Sequence, residues 1–266
     1  MLAYQFMQRA LLVGGFLSLI LPLMGVIVVN RNTSTVGDAI AHSSLSGIGI
    51  GLLFGFSPLI GSILVAIFSI LSLEWIRIKG LGRGDLATSI ITSLGVGLAS
   101  LLTDIVPTST DFSSYLFGSI VTINASEVYI SIILSLVILI LFFCYYYQLM
   151  YISFDLDGAL ASGIHQGKID FLFNILLAIT IAIGARVLGV LIISSLLILP
   201  VACGMMISRS YKKTVFSSMI FGFLFVLLGL VASFYFGIKP GGSIVVIATL
   251  CLLFLLLIKK IQKERL

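Results

Sequence analysis

Nine long apolar runs divide the 266-residue chain, and they restrict its fold more than any other feature. They lie at approximately residues 10–30, 39–57, 58–77, 87–104, 127–149, 171–185, 187–207, 214–236 and 243–258. A membrane-spanning helix needs about 20 apolar residues, close to the length of most of these runs. Because the apolar residues are continuous rather than alternating, helices are predicted and a membrane β-barrel is not.

The scarcity of charge supports a membrane protein. Only 9% of the residues are charged and 60% are hydrophobic, whereas a soluble domain carries roughly 25% charged residues. We therefore expect an all-α integral membrane protein of the cell membrane, multi-pass and lipid-embedded, with one transmembrane domain over residues 1–266. The number of helices is eight or nine, because the sixth run is short and meets the seventh at residues 184–186.

Basic residues mark the loops expected on the cytoplasmic side. They follow the third, fifth and seventh runs and fill the C-terminal tail: Arg77, Lys79, Arg83, Lys168, Arg209, Lys212, Lys213, Lys259, Lys260, Lys263 and Arg265. By the positive-inside rule, nine spans would put the N-terminus outside and the C-terminus inside. These cytoplasmic loops and the tail then account for the net charge of +5. No nucleic-acid partner is expected.

A carboxylate and an imidazole open the second span. Asp38 and His42 are four residues apart, so on a helix they share one face. Such a pair can ligate manganese, zinc or iron, and ionisable groups within a span usually face a cavity or pathway. The alternative is structural: Asp38 favoured at a helix N-terminus by the helix dipole, with His42 as a polar packing residue.

Two further segments carry candidate sites. Gly47, Gly51 and Gly55 form a small-residue ridge, which indicates either helix packing beside a pathway or ordinary helix packing. The segment Phe154–Gly163, with Asp155 and Ala159, is either a short surface helix that docks a cytoplasmic partner or a connecting loop. Nothing in the sequence matches a phosphate-binding loop, so any ATPase is expected on a separate chain.

The remaining charges leave alternatives open. A region without Lys or Arg that is expected outside contains Asp104, Asp111 and Glu127. These carboxylates are either solvated loop residues, or they attract cations or a partner protein. Arg186 lies between two apolar runs, where it either extends to the membrane interface or pairs with a carboxylate in the bundle. His165 is expected to be a solvated loop residue.

The segment from Val36 through the glycines resembles the signature of the zinc/manganese/iron permease family of ABC importers, which reads like GDAISHAVLPGIALG. Further segments that resemble the family follow in the same order, at residues 115–121, 154–163, 189–202 and, more weakly, 240–245. Together they cover nearly the whole chain. Departures are Ser46 and Leu156 where the family often has proline, and Lys239 before Pro240.

The resemblance implies a permease homodimer, a cytoplasmic ATP-binding subunit and an extracellular metal-binding delivery protein. Asp38 and His42 match positions of the metal pathway, while Asp155, Ala159 and Gly163 match the region that couples to the ATPase. The metal (manganese, zinc or iron) is cargo, and no permanently bound cofactor is expected. The alternative is a secondary metal or proton-coupled transporter that works without an ATPase. Because no GxSxG or HExxH motif is present, a transporter subunit is expected rather than an enzyme.

Overall fold

The computed structural model describes residues 4–79, 84–106, 115–116, 118 and 124–264. Within those residues every regular element is a helix. The eleven helices are α1 (Gln5–Asn30), α2 (Thr35–Leu53), α3 (Pro58–Ile78), α4 (Gly84–Ile105), α5 (Ala125–Cys144), α6 (Tyr146–Phe154), α7 (Leu156–Ala161), α8 (Gln166–Leu188), α9 (Val190–Ile207), α10 (Tyr211–Phe236) and α11 (Pro240–Glu264).

Nine of the helices in these described ranges are long and apolar enough to cross a membrane. The two that are not, α6 and α7, are short and follow α5. The predicted all-α, multi-pass fold is confirmed, and of the two expected numbers of spans the described part of the chain holds nine candidates.

The boundary between the sixth and seventh spans differs from the prediction. Helix α8 begins at Gln166 and continues through Arg186 to Leu188, so it is a full-length span rather than a short one. The chain turns instead at Gly189, where φ is 101°, a conformation that favours glycine. The prediction ended the sixth span just before Arg186. In the structure the charge of Arg186 has a partner inside the bundle, so the helix continues past this residue.

Two other spans have different limits from those predicted. The fifth apolar run is divided at Tyr145 into α5 and α6, although the Tyr145 N–H still donates to the Leu141 carbonyl at 3.0 Å. Helix α2 starts four residues earlier than predicted, at Thr35, and ends at Leu53. Hydrophobicity shows which residues prefer lipid, but it carries no local signal for where a helix bends or begins.

The helices divide into a central and a peripheral set. In each of α1, α2 and α8, 72% of an 18-residue apolar stretch is buried within the chain, whereas in α11 the share is 22%. Helix α2 packs between α3 and α4, and it also contacts α8 and α9. The predicted metal pair therefore lies on one of the central helices.

Glycines bring α2 and α3 into backbone contact. A methyl group on Gly47 would overlap the Gly61 carbonyl oxygen, and one on Gly51 would lie 3.0 Å from the Pro58 Cα. The predicted ridge is therefore a packing surface at Gly47 and Gly51. It is wrong for Gly55, which follows the end of α2 in a turn with φ of 73°, where an added methyl group would have no atom within 4 Å.

Candidate metal site and its surroundings

Asp38 and His42 lie on adjacent turns of α2. Thr35 begins the helix, so Asp38 is in its first turn, where a carboxylate is favoured by the helix dipole. Asp38 is exposed in the single chain and His42 is half-buried, while residues on either side of them are buried. The two potential ligands thus share the accessible side of a helix that is mostly enclosed.

Ser194 on α9 contacts the Asp38 member of this pair. Its hydroxyl donates a hydrogen bond to Oδ1 of Asp38. One carboxylate oxygen is thereby held in place, and the other lone pairs of the carboxylate remain available. Ser194 was not predicted from the sequence. The only local signal is a pair of serines within the apolar run of α9.

A cavity of about 350 Å³ opens beside Asp38, between α2 and α4. Each lining side chain that belongs to a described residue carries oxygen. They are Thr35, Asp38, Asp85, Thr88, Ser89, Thr92 and Ser93. Asp85 was not predicted either, although Asp85, Ser89 and Ser93 recur at the four-residue spacing of one helix face.

Within one chain the metal ligands remain a pair. Among the described residues, no group of three or more His, Cys, Asp and Glu side chains is arranged to hold a metal ion. Asp38 and His42 could supply one oxygen and one nitrogen ligand, a set that suits manganese, zinc or iron.

Glu127 and Arg186 form a buried ion pair away from Asp38. The guanidinium Nε donates to Oε1 at 3.1 Å and Nη2 donates to Oε2 at 3.0 Å, and the two side chains are only 4% and 5% exposed. Glu127 also accepts the Asn124 backbone N–H at 3.2 Å, which caps α5. The expectation of a solvated loop is wrong for Glu127, and Arg186 pairs in the bundle. Asp104 is exposed, and Asp111 lies outside the described residues.

The predicted coupling segment forms the short helix α7. Asp155 caps it by accepting the Gly158 N–H at 2.9 Å, and Gly163 follows in a left-handed turn with φ of 79°. Ala159 is buried, so it seats the helix on the bundle and does not face outward. Leu156 and Leu160 are the exposed large apolar side chains of α7. His165 is exposed directly before α8.

Arg31, in the loop before α2, contacts the helices on either side of this segment. Its Nη1 lies 2.7 Å from Oδ1 of Asp170 on α8, and its Nε donates to the Ser153 hydroxyl of α6 at 3.4 Å. The guanidinium also lies over an aromatic ring, 5.3 Å from the centroid of Phe173. The loop between α1 and α2 is therefore held against α6 and α8, the helices that flank α7.

Nine candidate spanning helices among the described residues, with the Asp38 carboxylate opening onto a cavity and His42 one turn further along α2, fit a membrane permease. The sequence model of the ABC 3 transport family matches residues 3–259. The chain belongs to that family, and it is a multi-pass permease of the metal ABC transporter type. The family resemblance of its motifs is thereby confirmed.

Similar proteins carry metal-transport names. The high-affinity zinc uptake system membrane protein ZnuB of Haemophilus influenzae is 31% identical over 99% of this chain and 100% of its own length. The manganese transport system membrane protein MntC of Listeria monocytogenes is 25% identical over 94% of this chain and 89% of its own. The solved structure of PsaBC from Streptococcus pneumoniae in complex with Fab superposes with a TM-score of 0.86, at 27% identity over 95% of this chain and 91% of that one.

Proposed function

We propose that this permease is the membrane-spanning subunit of an ATP-driven importer that brings manganese, zinc or iron into the cytoplasm. The observation that carries the proposal is the Asp38–His42 pair, two metal-ligand types on the accessible side of an enclosed helix. Hydrocarbon excludes a divalent ion, so the protein must replace part of the ion's hydration shell along the path.

Two copies of the chain would complete the ligand set. One copy contributes a carboxylate and an imidazole, and a homodimer with α2 of each copy facing the shared path would contribute two of each. Asp38 and His42 are accessible in the single chain, as a site shared between copies requires. Few ligands per copy also suit a transporter, because the ion has to be released again.

ATP hydrolysis would be supplied by a separate cytoplasmic subunit that contacts α7. Three features support this docking position: the capped short helix, its buried Ala159 anchor and its exposed leucines. Movement of α7 would be transmitted through Arg31 to the Asp38–His42 pair. Arg31 contacts residues on the helices that flank α7, and it lies seven positions before Asp38. An external metal-binding protein would deliver the ion from the opposite side.

Metal uptake tests the proposed site. In a strain without its own importers, the permease is expressed with its ATPase and delivery protein, and cellular manganese, zinc and iron are measured by elemental analysis. Asp38→Ala and His42→Ala are each expected to lower uptake by at least about tenfold, because even changes around metal ligands cost about 10- to 100-fold in affinity.

The chain offers matched controls for both variants. His165→Ala changes the other histidine, and Asp104→Ala changes an exposed aspartate outside the cavity. Both should keep normal uptake. If uptake survives Asp38→Ala and His42→Ala, the proposed site is wrong. If it continues without the ATPase, the protein is a secondary transporter.

Leu160→Asp tests the proposed contact of α7 with the ATPase. Leu160 is 49% exposed, and a charge at the centre of a docking surface should weaken binding by about 10- to 30-fold, the range of a strong interface residue. The measurement is co-purification and affinity of the ATPase for the permease in detergent. Ile261→Asp is the matched control, since Ile261 is 51% exposed but lies on α11. Equal binding by both variants and wild type would contradict this docking position.

A further inference from the structure

One face of α4 presents polar side chains where a membrane helix would otherwise expose apolar ones. Asp85, Ser89 and Ser93 are exposed at successive four-residue intervals, next to exposed Leu86 and Ile90. Polar and ionisable residues in a spanning helix generally face a cavity or pathway rather than lipid. Here they face the cavity that contains Asp38.

The hydroxyl groups of this face are oriented as acceptors. The Ser89 hydroxyl donates its hydrogen to the Asp85 carbonyl at 2.8 Å, and the Thr92 hydroxyl donates to the Thr88 carbonyl at 2.8 Å. A hydroxyl has one hydrogen and two lone pairs. With the hydrogen directed along its own helix, each oxygen can offer lone pairs to the cavity, as a cation requires.

The cavity has room for an ion that keeps part of its water. Its volume is about 350 Å³, whereas one water takes up about 30 Å³ in the liquid. The Asp38 and Asp85 carboxylates are both in its lining, and all of the described lining side chains carry oxygen. Such surroundings suit hard divalent ions such as manganese, while imidazole nitrogen suits zinc.

We propose that Asp85, with the Ser89 and Thr92 hydroxyls, is a second point of contact for the transported ion and favours manganese over zinc. The ion would pass between the Asp38–His42 pair and the start of α4, held there through oxygen atoms and water. Asp85 follows the basic loop expected on the cytoplasmic side, so this contact would lie on the inner part of the path. The inference rests on the proposed function and adds metal preference to the same cavity.

Metal affinity in the assembled transporter tests this inference. The permease–ATPase complex is placed in lipid nanodiscs. Mn²⁺ binding is followed through the electron paramagnetic resonance signal of the free ion, and Zn²⁺ binding through a fluorescent chelator. Asp85→Asn is expected to weaken Mn²⁺ binding by at least about tenfold and to change Zn²⁺ binding much less. In cells it should lower the ratio of manganese to zinc taken up.

Other variants separate this role from a structural one. Asp85→Glu keeps the carboxylate and should keep manganese affinity, while Ser89→Ala combined with Thr92→Val should weaken it several-fold with Asp85 intact. Asp104→Asn, on the same helix but outside the cavity, is the matched control.

The possible failures can be distinguished. Equal losses for both metals, or no loss, in Asp85→Asn would overturn the inference and leave the Asp38–His42 site intact. If the wild-type complex binds neither metal, the proposed function itself fails.

Discussion

Replacing Glu127 by alanine is expected to destabilise the protein by about 3–5 kcal/mol, because it removes the carboxylate from a buried guanidinium. Both side chains are almost fully enclosed, and two hydrogen bonds join them. The Arg186 guanidinium also lies 5.0 Å from the Tyr115 ring centroid. The same substitution removes the cap that Glu127 provides to α5. The loss would appear as a lower midpoint of thermal unfolding in detergent.

Two further variants test whether burial of the ion pair causes this loss of stability. One changes an exposed ion pair, and the other replaces both members of the buried pair. Glu74 lies 3.8 Å from Arg77, but these side chains are 38% and 40% exposed, so Glu74→Ala should cost less than about 1 kcal/mol. Replacing both members of the buried pair, with Glu127→Gln and Arg186→Met, should recover much of the stability that Glu127→Ala loses, because no buried guanidinium then remains. If Glu127→Ala and Glu74→Ala have similar unfolding midpoints, the buried ion pair does not stabilise the protein more than the exposed one does.

Gly47→Val is expected to have the second large effect, by forcing α2 and α3 apart. The first added carbon would overlap the Gly61 carbonyl oxygen and lie 2.8 Å from the Ser62 Cα. These are backbone atoms that cannot rotate away, so the cost should exceed the roughly 1–3 kcal/mol of an ordinary overpacked core. We expect little folded protein in the membrane fraction and a lower unfolding midpoint for what remains.

Gly97→Val is the matched control for this clash. Gly97 also lies within a spanning helix, but nothing is within 4 Å of the position that an added carbon would occupy. This variant should fold and accumulate normally. Gly61→Val should reproduce the defect from the opposite helix, since its added carbon would overlap the Gly47 carbonyl oxygen. If Gly47→Val accumulates as well as Gly97→Val, the two helices do not pack this closely.

Much of the fold was predictable from hydrophobicity, because every span must shield its backbone from lipid with about 20 apolar residues. That requirement predicted eight or nine spans, and the described residues contain nine, although several of their limits differ from those predicted. The continuation of α8 past Arg186 accompanies an ion pair with Glu127 on another helix. Such a contact leaves no periodic signal in the sequence.

The candidate site was predictable only where its residues share a helix. Asp38 and His42 follow from a four-residue spacing, and the structure keeps them on one side of α2. Ser194 and Asp85 come from α9 and α4, and only the packing of these helices brings them to Asp38. Gly55 shows the converse, because its spacing fits the ridge but the helix ends before reaching it.

The hydrogen bond between Asp38 and Ser194 joins residues 156 positions apart in the chain. Protein synthesis delivers the N-terminal helices to the membrane first, so α1 and α2 are inserted long before α9 exists. Until then Asp38 lacks its serine, and the surfaces of α1 and α2 that contact α9 stay uncovered, although α3 and α4 already pack against α2. Asp38 therefore gains its partner on α9 only late in biogenesis, when the C-terminal helices arrive.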